Sequence, residues 1–246
     1  MLEPYDGTPA GVPGRLESAV EILRKQQNYE FLEPPLATEE QILRVHSRDI
    51  MEQIQRKERL SRMALLAAGG AVLAGEIAVK GEPVFALIRP PGHHASEDSH
   101  WGYCYYNNIA VSLLNLIAKG SINSAFILDF DLHTGDGNIN ILGGDKRFTI
   151  YNPNGSGDDQ YLADVKRALD DSSDVDIIVA SAGFDQYVED WGGNLSTDAY
   201  RRIGRLMHEF ARDRCEGRRY ALLEGGYNFQ DLGKNVFAFC EGLQGR

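Results

Sequence analysis

The sequence predicts an α/β fold: a mostly parallel sheet with helices on both faces. Three observations carry this. From residue 84 onward, short apolar runs of strand type alternate with longer segments at helical spacing, the pattern of a parallel sheet covered by helices. The run VDIIVAS over 175–181 is apolar almost throughout, as suits a strand buried on both faces. The chain has 246 residues, 43% of them hydrophobic, enough for one sizeable core.

The elements follow in order. Residues 15–27 carry Leu16, Ala19, Val20 and Leu23 near helical spacing. Thr38 followed by Glu39, Glu40 and Gln41 predicts a capped helix start before Ile42 and Leu43. His46 is read as part of that helical stretch. Residues 60–79 predict a longer helix whose small residues suit close packing. A strand is predicted over 84–88, a helix over 107–119, and strands over 124–130 and 147–151. A helix over 161–169, the strand over 175–181 and a helix over 197–214 come next. A strand over 220–223 and a helix over 231–243 close the chain. There is no repeat, low-complexity run or long linker, so residues 1–246 are expected to form a single domain.

Composition narrows the function classes. A net charge of −11 argues against nucleic acid as a direct partner, because phosphate binding calls for a basic face. It suits solubility and is compatible with a positively charged substrate. Cys104, Cys215 and Cys240 are odd in number and include no CxxC pair, which predicts neither a disulfide framework nor a cysteine zinc site. A reducing cytoplasm fits that usage. The opening MLEPYDGTPAGVPG lacks a basic segment followed by an apolar run, so no signal peptide is expected. The longest apolar stretch, 63–75, is broken by Gly69 and Gly70. It is too short to span a bilayer and is expected to be a buried helix, with no membrane partner.

Ligands of open parallel sheets bind beyond the carboxyl ends of the strands. The predicted strand ends deliver Arg89-Pro-Pro-Gly-His93-His94-Ala95, then Asp129, Asp131, His133 and Asp136, then Ala182-Gly-Phe-Asp185, then Glu224-Gly-Gly-Tyr227. In an extended strand end, residues i and i+2 point to one side, so Asp131 and His133 can present a carboxylate and an imidazole to one ion. Asp185 supplies a third ligand from a neighbouring strand. Two carboxylates and an imidazole with an open position suit a catalytic metal site better than a closed structural one. A lone DxH is more often a turn; the neighbouring AGFD and GHH motifs give it weight. Pro90, Pro91 and Gly92 stiffen and turn the approach to His93 and His94. Each imidazole needs a partner to fix its tautomer, and Asp129 and Asp136 are available for that. Tyr227, after Gly225 and Gly226, could polarise a carbonyl or simply pack beside the turn. His100 and His208 are not expected to be ligands.

Taken in this order, these four motifs resemble the histone deacetylase family, which includes acetylpolyamine amidohydrolase-like members of bacteria and archaea. Residues 13–17 (PGRLE) are similar to its ERLE-like segment and 45–47 (VHS) to its VHS-like one. The resemblance runs from about residue 11 to the end and implies an arginase/deacetylase-like three-layer fold. It implies zinc, with iron(II) as the alternative, on Asp131, His133 and Asp185. It makes His93 and His94 a general acid/base pair, oriented by Asp129 and Asp136, and Tyr227 the oxyanion donor. It places the segment Gly102, Tyr103 and Cys104 along an acyl-lysine tunnel, and a structural potassium ion by Asp129, Asp131 and His133. Gly102, Tyr103, Trp191, Gly225 and Gly226 are the expected substrate-lining positions. The implied activity is hydrolysis of an acyl-amide on a cationic amine, small molecule or peptide, by metal-activated water.

The chain also departs from the family pattern. The usual first strand before the ERLE-like segment is missing, and a long glycine-rich segment is compressed to YNPNGSG over 151–157. That predicts the loss of one tunnel wall and a wide, shallow pocket. Tyr151 stands where a small hydroxyl residue often helps to bind potassium, and Trp191 lies where polyamine-selective relatives tend to carry a glutamate. Glu189 or Asp190 could supply that charge instead. The rival reading is a catalytically silent acyl-amine-binding or scaffold protein that keeps the metal. An arginase-like dinuclear site would need further bridging ligands that these loops lack.

Overall fold

The computed structural model describes residues 2–246. Four helices come first: α1 (Glu17–Arg24), α2 (Glu39–Leu43), α3 (Arg48–Gln55) and α4 (Glu58–Ala78). Strand β1 (Val84–Ala86) is followed by α5 (Asn108–Ala118), β2 (Ala125–Asp129), α6 (Asp136–Leu142) and β3 (Phe148–Tyr151). Then come α7 (Gly157–Asp170), β4 (Ile177–Ala182), α8 (Thr197–Arg214), β5 (Arg219–Leu223) and α9 (Leu232–Leu243). Local chemistry sets several starts. Thr38 and Gln41 make a reciprocal capping box at α2. Asn107 caps α5 by accepting from the Ala110 N–H, and Ser196 caps α8 by accepting from that of Ala199.

The strands form one sheet in the order β1-β5-β4-β2-β3, and every pairing is parallel. Strand side chains alternate between faces, and the core divides accordingly. Phe126 and Leu128 of β2, with Ile178 and Ala180 of β4, join the layer of α1, α7, α8 and α9. Ala125 and Ile127, with Ile177 and Val179, join the layer of α2 to α5. This is the helix–sheet–helix arrangement of the sequence prediction. By length and composition alone α4 could cross a membrane, but 67% of its apolar window is buried inside the fold.

Register places the site. Ala86 lies opposite Leu222, Leu223 opposite Ala182, and Ser181 opposite Asp129. The ends of β1, β5, β4 and β2 are therefore level and contiguous, so the four chemistry-bearing loops leave from one rim. The remaining strand, β3, is the edge strand beside β2 and gives the cavity no side chain.

Two helices differ from the sequence reading. Helix α6 begins at Asp136, inside a motif read as loop. Helix α3 begins at Arg48, and His46 lies in the link before it, not in a helix. The buried His46 ring is held from both nitrogens. Its Nδ1 faces the Ser96 carbonyl at 2.9 Å, and its Nε2 accepts from the Asn107 N–H at 2.8 Å.

Candidate metal centre and active site

The site is built on the β2 end. Asp131 Oδ1 accepts from the His133 N–H at 3.0 Å, and its Oδ2 accepts from the Gly225 N–H at 2.8 Å. Asp185 Oδ1 accepts from the Leu132 N–H at 3.0 Å. Both carboxylates are thus pinned by backbone donors from neighbouring loops. His133 Nδ1 stands 3.4 Å from Asp131 Oδ1 and 3.7 Å from Asp185 Oδ2. The three side chains offer ligand atoms all within 4.8 Å of one another.

Three features fit these residues to a divalent cation. Asp185 Oδ2 is buried and has no hydrogen-bond donor, a costly state for a lone carboxylate oxygen. A methyl group at Gly225 would lie 2.4 Å from Asp185 Oδ2 and 2.5 Å from Asp131 Oδ2. Glycine there leaves room between the carboxylates. The close approach of Asp131 and Asp185 also pushes the His133 imidazole up to about 10, so the paired carboxylates draw a positive charge into this position. Burial opposes ionisation of Asp131, but His93 and hydrogen bonds from His133 and Gly225 outweigh it and lower its pKa. Burial and the neighbouring Asp131 raise that of Asp185.

The adjacent histidines lie in the loop after β1, which passes through a cis Arg89–Pro90 bond. His93 Nδ1 is 3.2 Å from Asp129 Oδ2, and His94 Nδ1 is 2.5 Å from Asp136 Oδ1. Burial opposes charge on His93, yet Asp131 and Asp129 raise its pKa well above the ordinary value. Burial and repulsion by His93 push His94 down to about 4, against the pull of Asp136. The two rings, 4.0 Å apart, are thus biased in opposite directions, His93 toward the cation and His94 toward the neutral ring.

A cavity of about 310 Å³ opens over this cluster. His93, His94, Asp131, His133 and Gly225 line it together with Tyr227, Gly102 and Tyr103. Trp101 and Trp191, both half exposed, stand at its mouth with Pro91. Gly102 has φ +57°, and a Cβ there would come within 2.4 Å of the His94 ring, so the chain crosses the imidazole only as glycine. Trp191 stacks on the Tyr227 ring at 4.1 Å and 22°. Beneath Tyr227 the guanidinium of Arg15 lies 5.1 Å from the ring centroid. Arg15 donates to the carbonyls of Gly226 and Glu224, and burial raises the Tyr227 pKa, so its hydroxyl stays protonated.

Two expectations change. Cys104 is fully buried and does not line the cavity; its Sγ accepts from the His94 N–H at 3.4 Å instead. Gly226 also lies outside the lining, held through its carbonyl by Arg15. At the expected potassium position, the Asp129 oxygens already carry protein hydrogen bonds. The Asp129 carbonyl accepts from the Asn152 amide at 3.2 Å, Oδ2 from Asn138 at 3.0 Å, and Oδ1 from the Asp131 N–H at 3.4 Å. Every Asp129 oxygen already has a protein donor, and the Tyr151 hydroxyl turns away to Asp164.

Sequence reasoning missed the polar supports. Asn107 donates to the carbonyl of Ala95 at 3.0 Å and to Asn138 Oδ1 at 2.9 Å, tying the histidine loop to α6. Glu224 Oε2 accepts from the N–H groups of Gly92 at 2.6 Å and His93 at 3.2 Å, and burial pushes the carboxyl up to about 7. Asp190 accepts from the N–H groups of Tyr227 at 2.6 Å and Asn228 at 2.7 Å. Its carboxylate is therefore committed to the Tyr227 loop. The capping-type residues beside the motifs were the only signal in the sequence.

Fold and site together define a parallel α/β protein with an Asp–His–Asp cluster able to hold a metal ion at its strand ends, flanked by two His–Asp pairs. The profile of the histone deacetylase domain matches residues 10–152 and 142–243, and the chain belongs to that family. A probable deacetylase of Methanothermobacter thermautotrophicus is 30% identical, covering 87% of this chain and 79% of its own. One of Archaeoglobus fulgidus is 29% identical, covering 88% and 76%. Histone deacetylase 18 of Arabidopsis thaliana is 32% identical, covering 74% of this chain and 33% of its own. The crystal structure of the HDA15 HD domain superposes with a TM-score of 0.83 at 23% identity, covering 97% of this chain and 84% of that one. That match speaks to the fold.

Proposed function

We propose that residues 1–246 act as one metal-dependent amidohydrolase domain that deacetylates a cationic acyl-amine, either a small molecule or a peptide side chain. The observation that carries this reading is the unpartnered Asp185 Oδ2 facing His133 across from Asp131, beneath a cavity that also holds His94 and Tyr227. Family membership and the archaeal relatives named probable deacetylases support the reaction class.

Asp131, His133 and Asp185 would hold zinc or iron(II). When bound, the metal polarises the acyl carbonyl and lowers the pKa of water. His94 takes a proton at Nε2, its Nδ1 being held by Asp136, and later returns it to the leaving amine. Its lowered pKa keeps Nε2 free to accept at neutral pH. His93, held by Asp129, keeps its proton and faces Asp131 from Nε2 at 3.7 Å. The Tyr227 hydroxyl donates to the acyl oxygen as negative charge develops on it.

The mouth suits loose gripping of the amine arm. None of residues 151–157 lines the cavity, and Asp190, engaged with backbone, offers no fixed partner for a distant ammonium. The test compares zinc-loaded protein and its Asp185→Ala variant on an acetyl-lysine peptide, a short acetyl-diamine and acetylspermidine. The parent should hydrolyse all three with kcat/KM values within about 100-fold of one another, or about 2.7 kcal/mol. The variant should be inactive. Failure of the metal-loaded parent on every substrate would reject the reading, and acetylspermidine preferred beyond that ratio would reject the open mouth.

A further inference from the structure

We infer that Trp101 is a positioning residue that holds the His94–Asp136 pair in working geometry, a role that rests on the proposed reaction. The two histidines are supported in different ways. Asp129, the partner of His93, is fully buried and every one of its oxygens has a protein donor. Asp136, the partner of His94, has a side chain 43% exposed, where water can compete for its oxygens. Trp101 closes that gap. Its Nε1–H donates to Asp136 Oδ2 at 2.8 Å, which leaves Oδ1 to His94 Nδ1 at 2.5 Å. Its ring covers the imidazole, with centroids 3.8 Å apart and planes inclined by 31°. One indole thus fixes both the carboxylate's rotation and the imidazole's plane.

The backbone is shaped for this contact. The Trp101 carbonyl accepts from the Cys104 N–H at 2.9 Å, closing a turn across Gly102 and Tyr103, both at positive φ. Within that turn Gly102 passes so close to His94 that a Cβ would collide with it. Cys104 in turn accepts from the His94 N–H. The imidazole is therefore bracketed by the turn and the indole, and Nε2 is left pointing to the cavity. Trp101 itself is 53% exposed, so its burial contributes little to the core, and a substitution there should leave the fold intact.

Trp101→Phe separates the two contacts, since it keeps a ring over His94 and removes the donor to Asp136. Its kcat should fall about tenfold, or about 1.4 kcal/mol, with KM within about twofold. Trp101→Leu removes both contacts and should lose more. An unchanged kcat, or a change confined to KM, would overturn the inference, because a simple wall of the substrate cavity would move KM alone. A second readout does not need turnover. The chain has two tryptophans, so its ¹H–¹⁵N spectrum shows two indole signals, and the one missing from Trp101→Phe belongs to Trp101. Asp136→Asn should shift that signal and leave the other in place. A Trp101 signal indifferent to Asp136→Asn would overturn the contact. A parent without amidase activity but with this shift would reject the proposed function and uphold the positioning contact.

Discussion

Adding one methyl group at Gly225 should abolish metal binding while leaving the chain folded. A Cβ there would lie 2.4 Å from Asp185 Oδ2 and 2.5 Å from Asp131 Oδ2. Ordinary van der Waals contact needs about 3.4 Å or more, so each carboxylate oxygen would have to retreat by about 1 Å. Neither can do so freely. Asp131 is held by the N–H groups of His133 and Gly225, and Asp185 by that of Leu132. Ligand distances at a metal tolerate only about 0.2 Å, several times less than the displacement required. Even loss of an outer hydrogen bond typically costs 10- to 100-fold in metal affinity. Displacing two ligands at once should therefore exceed about 100-fold. Overpacking should lower stability by only about 1–3 kcal/mol, and Gly225 has no positive φ that alanine would strain. Elemental analysis after dialysis should find about one zinc or iron per parent chain and almost none in Gly225→Ala, with matching far-UV circular dichroism. A variant that keeps stoichiometric metal at parental affinity would refute the position assigned to the ion.

Two further predictions follow from the same site. Tyr227→Phe keeps the stack on Trp191 and removes the hydroxyl; kcat should fall about 10²-fold or more with metal content unchanged, and steady-state kinetics with elemental analysis check both. Metal affinity should also depend on pH, because the neighbouring carboxylates of Asp131 and Asp185 raise His133 to about 10 in the metal-free protein. Below that value the incoming ion must displace a proton, so affinity should rise about tenfold per pH unit and level off near the raised pKa; chelator competition at pH 7, 8 and 9 would show a flat response if His133 were not a ligand.

The contrast between Asp131 and Asp136 shows how far residue order could be read as structure. Asp131, His133 and Asp185 were legible because parallel strands deliver their ends to one rim; the extended strand end expected for Asp131 and His133 is instead a bend after β2, closed by the His133 N–H on Asp131 Oδ1. The support of Asp136 by Trp101, and of the histidine backbone by Glu224, was not legible. Those pairs are separated by 35 and 131 positions, and no periodicity links residues so far apart. The His46 reading failed for a related reason. Its ring bonds to Ser96 and Asn107 come from residues 50 and 61 positions away, which local pattern does not register.

The sequence by itself determined the class of fold, the order of the strands and of most helices along the chain, and the residues that meet at the candidate metal cluster. Those depend on local hydrophobic pattern and on the direction of parallel strands. The tertiary structure alone decided the protonation bias of the two histidines, the withdrawal of Cys104 and Gly226 from the cavity, and the engagement of Asp129 by amide donors. It also decided that the two tryptophans cover His94 and Tyr227. Each of these is set by distances of a few ångströms between side chains from different loops. Burial and neighbouring charge, which tune such contacts, exist only once the chain has closed on itself.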